Sequence, residues 1–256
     1  RDLEIVLDGY ASAALGGNFA AEGRLVVKEF SLRNWLRAAN LEAPASRDLT
    51  TLTAVSLESE VKLSNQLLSL KPLTARVDSS QLSASIDLNL DPHCINLDAT
   101  LDQLDLDAYL TQGEPTEATP SSSQFALLPG AYRLNVQSLK VADIPLSALA
   151  IELGVQTDEI SLGRFDVGVF GGTIRSTGSH LIAPQVTNLN GTIEGIQLAT
   201  LPKSGALQSL TGEVTGAFDV RAAGHQIDDA KASLTGPIRL RIADASLGAL
   251  NVSEAM

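Results

Sequence analysis

Side chains able to do chemistry are sparse in this sequence, and their spacing does not suit it. The three histidines, His93, His180 and His225, stand far apart, and none has a partner at metal-ligand spacing. His93 adjoins Cys94 directly after Asp91-Pro92, a turn pair, which is a weak setting for a metal or a nucleophile. There is no Gly-Lys dipeptide and hence no phosphate-cradling loop. No Gly-x-Ser-x-Gly elbow and no His-Glu-x-x-His helix occur. Asp102, Asp105 and Asp107 suggest calcium at first sight, but no glycine-bearing ligand loop follows them. Leu101, Leu104 and Leu106 alternate with them, so the three acids are expected on the wet side of a strand and corner. Asp228-Asp229 reads as a turn. The sequence therefore predicts a protein that is not an enzyme, with no catalytic residues, no metal and no cofactor.

The bulk properties narrow the partners. The 256 residues carry a formal charge of −12. Such a surface repels phosphate backbones, which argues against nucleic acid, and it offers no basic patch for anionic headgroups. One cysteine excludes an intrachain disulfide. No run of about 18 apolar residues is present to span a membrane as a helix. Aromatic residues reach only 4% against 44% hydrophobic residues overall, so the apolar surface is aliphatic and smooth rather than a shaped pocket. Leu3-Glu4-Ile5-Val6-Leu7 reads as a strand from the outset, and the chain is expected to be a piece of a longer protein.

The elements are read from period-two alternation, the dominant pattern. It is clearest in Leu82, Ala84, Ile86, Leu88 and Leu90, interleaved with Ser83, Ser85, Asp87 and Asn89. Ile95, Leu97, Ala99 and Leu101 repeat it, as do Leu149, Ile151, Leu153 and Val155, and Ile238, Leu240 and Ile242. One apolar and one solvated face per strand is the mark of a half-buried antiparallel sheet. Asp91-Pro92, Thr157-Asp158 and Asn190-Gly191 are read as the turns between runs. About 14 strands are expected, and at about 4.8 Å per strand one sheet would extend on the order of 65 Å and must coil. Short helices are expected over Ser31–Leu41, with Ser31 as N-cap, over Leu106–Leu110 and over Leu198–Leu210. A shared spacing supports all three corners: Val27, Phe30, Leu32, Trp35; Leu101, Leu104, Leu106, Tyr109; and Ile193, Ile196, Leu198, Leu201. Gly16-Gly17 and Gly171-Gly172 mark bulges or sharp turns. The expected organisation is an N-terminal β half over 1–111, a linker over 112–126 that is rich in Pro, Ser and Thr, and a C-terminal β half over 127–256.

Several segments carry a resemblance in order along nearly the whole chain. They are Glu22-Gly23-Arg24-Leu25-Val26-Val27-Lys28-Glu29-Phe30-Ser31-Leu32, the run Leu101 to Leu110, and Val169-Phe170-Gly171-Gly172-Thr173. Leu210-Thr211-Gly212-Glu213-Val214, Ala232-Ser233-Leu234-Thr235-Gly236 and Ile242-Ala243-Asp244-Ala245 complete the set. In these the chain resembles the AsmA family of bacterial envelope proteins. The resemblance implies the periplasmic region of an inner-membrane-anchored protein, with membrane contact made by regions outside this chain. It also implies a long curved antiparallel β-sheet, groove-like or taco-like, that supports lipid transport between inner and outer membranes and outer-membrane assembly. No catalytic residues carry over.

On this reading the partner is a phospholipid or other acyl lipid. Leu82, Ile86, Leu88, Ile95, Leu97, Leu149, Ile151, Leu153, Leu240 and Ile242 are the residues expected to line the lipid groove. The bland alternative makes the same residues ordinary core. A second functional reading is an envelope adaptor that recruits proteins by strand addition at the sheet edges.

Overall fold

A computed structural model describes residues 3–13, 19–41, 46–109, 127–202, 210–224 and 227–247. The alternating runs form thirteen strands: β1 (Ile5–Ala13), β2 (Phe19–Phe30), β3 (Val55–Ser64), β4 (Leu67–Val77), β5 (Ser80–Leu90), β6 (His93–Asp105), β7 (Gly130–Val141), β8 (Ile144–Val155), β9 (Glu159–Val169), β10 (Gly172–Leu181), β11 (Val186–Gln197), β12 (Leu210–Ala223) and β13 (Ile238–Leu247). They belong to one sheet in sequence order, whose end strands are β1 and β13. The chain divides into two compact units, Arg1–Ile144 with Gly154–Thr157, and Pro145–Leu153 with Asp158–Met256.

In the first unit β1 to β6 form an antiparallel meander. The sheet is mostly antiparallel, as expected, with one exception at the next step, where β6 and β7 run parallel, from Ile95↔Gly130 to Asp105↔Lys140. A parallel neighbour needs a connection long enough to return to the starting end of the ladder. The chain between Asp105 and Gly130 supplies that length. The segment expected as a linker, 112–126, falls there and lies outside the described residues; Gly16-Gly17, His225 and residues 203–209 of the helix expected over Leu198–Leu210 also lie outside them.

The three short corner elements lie where the recurring spacing put them. Helix α1 (Leu32–Ala38) follows β2, α2 (Leu106–Tyr109) follows β6, and a 3-10 turn (Leu198–Thr200) follows β11. Ser31 starts α1 by accepting the Asn34 amide at 3.2 Å. The corner is then knitted to the segment before β3. Arg33 donates through Nε to the Thr51 carbonyl at 3.1 Å and through Nη2 to Thr51 Oγ1 at 3.1 Å, and Thr51 is buried. Asp78, in the β4–β5 turn with φ 55°, accepts the amides of Leu52 at 2.7 Å, Thr53 at 3.0 Å and Ala54 at 3.2 Å. Its carboxylate also accepts the Tyr109 hydroxyl of α2 at 2.8 Å. One carboxylate therefore ties the segment before β3, the β4–β5 turn and α2 together.

In the second unit β9 to β13 are antiparallel. Phe170 and Gly171, with φ 50° and 77°, make the two-residue turn of the β9–β10 hairpin. Two expected turns are corrected here. Asp228-Asp229 belongs to α3 (Ile227–Ser233). Asn190-Gly191 lies inside β11, opposite Thr177 and Ser176 on one side and Asp219 and Phe218 on the other. The Asn-Gly pair does not turn the chain because Gly191 is needed within the sheet. A Cβ built there would stand 2.2 Å from the Arg175 carbonyl oxygen and 2.6 Å from Cζ of Phe218, so the Phe218 ring lies over the glycine. Gly191→Val is expected to destabilise the second unit by about 2 kcal/mol through overpacking. Urea titration checks this as a lowered midpoint at unchanged slope.

Candidate apolar binding face

Register decides which side chains share a face, because directly paired residues point the same way. One row across the first unit runs Ile5, Val27, Leu57, Ala75, Leu82, Leu101, Val136, each paired to the next. The adjacent row is Leu7, Leu25, Ser59, Leu73, Ala84, Ala99, Leu134. Two further rows pass through Val61, Leu70, Ile86 and Leu97, and through Leu63, Leu68, Leu88 and Ile95. The face is aliphatic over seven strands. Ser59, the one hydroxyl in the second row, is 1% exposed and donates to the Glu60 carbonyl at 3.0 Å. Its polar atom is thus turned into the backbone rather than onto the face.

The opposite face of the same strands is charged. Arg24 pairs with Glu58, Lys71 with Asp87, Lys62 with Glu22 at 3.7 Å, and Arg133 with Asp98 at 3.9 Å. The hydrogen bond from Lys71 holds the Asp87 carboxyl below its ordinary range. These are exposed pairs, each contributing a fraction of a kcal/mol. Their value is in keeping one face wet.

Five of the expected lining residues are brought together. Leu82, Ile86, Leu88, Ile95 and Leu97 all lie on the aliphatic face of β5 and β6, with Ile86 opposite Leu97 and Leu88 opposite Ile95. All five are half-buried. In a central strand, flanking side chains alone produce such partial cover. Among the described residues of these four rows Leu73, Ala99, Val136 and Ser59 fall into the buried class, and the next row on the same face, Phe30, Val55, Val77 and Ser80, adds Phe30 and Ser80. The sequence pattern missed the extension of the face through Val27, Leu57 and Ala75, whose strands are interrupted by Ser59 and by the bulge at Leu70/Leu73. Beside Gly9 and Gly23, which face each other across β1 and β2, the surface dips into a depression of about 400 Å³. Leu7, Ala11, Ala21, Val61, Leu63 and Leu68 line it.

The other five candidates lie elsewhere. Leu149, Ile151 and Leu153 are on β8, where Leu149 is buried and the other two are half-buried. Leu240 and Ile242 lie on the end strand β13 with 59% and 49% exposure. They share a face with Gly216 and Val214, beside the row Val167, Ile174, Ile193.

The acids expected merely to be solvated do structural work. Asp102 accepts the Gln81 amide at 2.7 Å, and Asp105 accepts the Asp107 amide at 3.1 Å. Asp107 accepts the amides of Ala142 at 2.6 Å and Asp143 at 2.8 Å, both in the turn after β7 with positive φ. Those amide bonds, the Asp143 one first, hold the Asp107 carboxyl below its ordinary range. Lys140 occupies the middle of this group, 3.6 Å from Asp105, 3.6 Å from Asp107 and 3.0 Å from Asp143. Among the described residues no cluster of His, Cys, Asp and Glu is arranged to hold a metal ion.

No protein-family model, curated protein or solved structure matches the chain.

The site is thus defined by its own chemistry: an aliphatic, half-covered surface in rows, backed by an ion-paired face. Such a surface can bind extended hydrocarbon by removing both partners from water, without directional contacts that would select one headgroup.

Proposed function

We propose that the aliphatic face of β1 to β7 shields lipid acyl chains, and that the chain contributes in this way to lipid transport between inner and outer membranes and to outer-membrane assembly. The observation that carries the reading is the half-buried state of the paired rows Leu82–Leu101, Ile86–Leu97 and Leu88–Ile95, which leaves aliphatic surface available to a ligand. Each methylene placed on such a surface gains about 0.8 kcal/mol, so a chain laid across several strands is held without any polar anchor. Headgroups then remain in solvent, and selectivity among lipids is loose. The motif order that resembles the AsmA family supports the same reading, together with a periplasmic location in an inner-membrane-anchored protein.

Native mass spectrometry of the purified chain, followed by lipid extraction, tests the proposal. Phospholipid or another acyl lipid is expected to co-purify, or to bind when added. A folded protein that carries no lipid and takes up none would overturn it.

A further inference from the structure

Burial on the aliphatic face is graded along β3 to β6, strands that β2 and β7 flank on either side. At the end where α1 and α2 stand, the row from Phe30 to Ser80 has both of those residues buried. Two rows further on, Ser59, Leu73 and Ala99 are buried in a row that also holds Ala84. The next two rows, from Val61 to Leu97 and from Leu63 to Ile95, hold no buried side chain among the described residues. Leu90, the last apolar side chain before the β5–β6 turn, is 38% exposed.

The closed end coincides with the tied corner. Asp78 joins the segment before β3 to Tyr109 of α2, the Asp48 amide donates to the Ala108 carbonyl at 3.1 Å, and Thr51 between them is buried. At the other end the strands finish in the turns Asn65-Gln66 and Asp91-Pro92, and all four residues are exposed. Asp91 carries the one formal charge of these two turns and makes no ion pair among the described residues. From Leu88 to Ala84, in the first row with buried members, β5 advances four residues, about 14 Å. The acyl chains of one bilayer leaflet span about 15 Å, so the open stretch matches one chain in length.

Resting on the acyl-chain reading above, we propose that the lipid lies on this face with a fixed polarity. Its tail end meets the row of Ser59, Leu73, Ala84 and Ala99, and its headgroup stays at the β3–β4 and β5–β6 turns beside Asn65, Gln66 and Asp91. The chain runs obliquely over the strands between these two ends. The reverse orientation sets a hydrated headgroup against rows already closed to water, where its polar atoms find no partners. At the turns the headgroup remains in solvent. The unpaired Asp91 carboxylate there favours a headgroup that carries an ammonium over one that is only anionic.

The test is photocrosslinking of the full chain with two phosphatidylcholine probes, located to single residues by tandem mass spectrometry. One probe carries a diazirine at the end of an acyl chain, the other carries it on the headgroup. The tail probe is expected to attach around Leu73, Leu82 and Ala84, and the headgroup probe around Asn65, Gln66 and Asp91. A headgroup probe attached at the covered rows, or both probes attached to the same residues, would overturn the polarity while leaving acyl binding in place. Attachment of neither probe would remove the acyl-chain reading as well. Asp91→Lys, at an exposed turn position, is expected to raise retention of phosphatidylglycerol relative to phosphatidylcholine about fivefold. An unchanged ratio would take the headgroup away from this turn and sink the proposal.

Discussion

Ile86→Asp is expected to abolish acyl-lipid binding while leaving the protein folded. Ile86 sits in the middle of the aliphatic face, between Leu70 and Leu97, and is half-buried. Because water already reaches part of it, the substitution costs the fold only about 1 kcal/mol of lost burial. A bound hydrocarbon chain meets a different environment. It must either cover a carboxylate or give up contact with about four methylenes around it, a loss of about 3 kcal/mol, or more than a hundredfold in affinity. Asn89→Asp adds the same charge to the opposite face of the same strand and is expected to leave binding unchanged. Native mass spectrometry with added phospholipid distinguishes the two. If both variants bind as the unsubstituted protein does, hydrocarbon does not lie on this face.

Asp78→Ala is expected to produce a large loss of stability in the first unit. It leaves the amides of Leu52, Thr53 and Ala54 and the Tyr109 hydroxyl without their common acceptor. Hydrogen bonds to a charged group contribute about 1.5–3 kcal/mol each when solvent cannot replace them. Water reaches part of this corner, so the net expectation is about 3 kcal/mol. Partial burial pushes the Asp78 carboxyl up, but the bonds from Leu52, Tyr109, Ala54 and Thr53 outweigh it and hold the group below its ordinary range. Burial first, and then Asp78, pushes the Tyr109 hydroxyl far above its usual range. A depressed carboxyl stabilises the fold fully above its unfolded value of 3.8, and the contribution is lost as pH falls through the folded value. Denaturant melts between pH 5 and pH 2 should therefore show a steeper loss in the unsubstituted protein than in Asp78→Ala. Parallel curves would remove Asp78 from the account of this corner.

What the sequence disclosed and what it concealed divide along physical lines. Alternation in Leu82–Leu90 and Ile95–Leu101 is a local property of one strand, so those elements and their shared face were readable. The reach of the face across β2 to β4 was harder to see, because Ser59 breaks the alternation while its hydroxyl turns to the backbone. The parallel step was not readable at all. An alternating strand looks the same whichever way its neighbour runs, and the direction is set by a connection whose residues carry no periodicity. Asp107 was misjudged for a similar reason, since its amide partners Ala142 and Asp143 lie 35 and 36 residues away. Asn190-Gly191 has the composition of a hairpin turn, and only the Phe218 ring across the ladder explains why a glycine is needed there.

The parallel pairing of β6 and β7 also determines how the first unit answers to tension. In a hairpin the chain enters and leaves at the same end, so a pull opens the ladder like a zip, one rung after another. The chain enters β6 at the His93 end and leaves β7 at the Val141 end, which lie at opposite ends of the ladder. A pull along the chain loads this pair in shear, and the ten paired positions from Ile95↔Gly130 to Asp105↔Lys140 must give way together. The tie from Asp107 to Ala142 and Asp143 closes the far end of the same ladder. When the protein is stretched, the hairpins yield first and this junction holds longest.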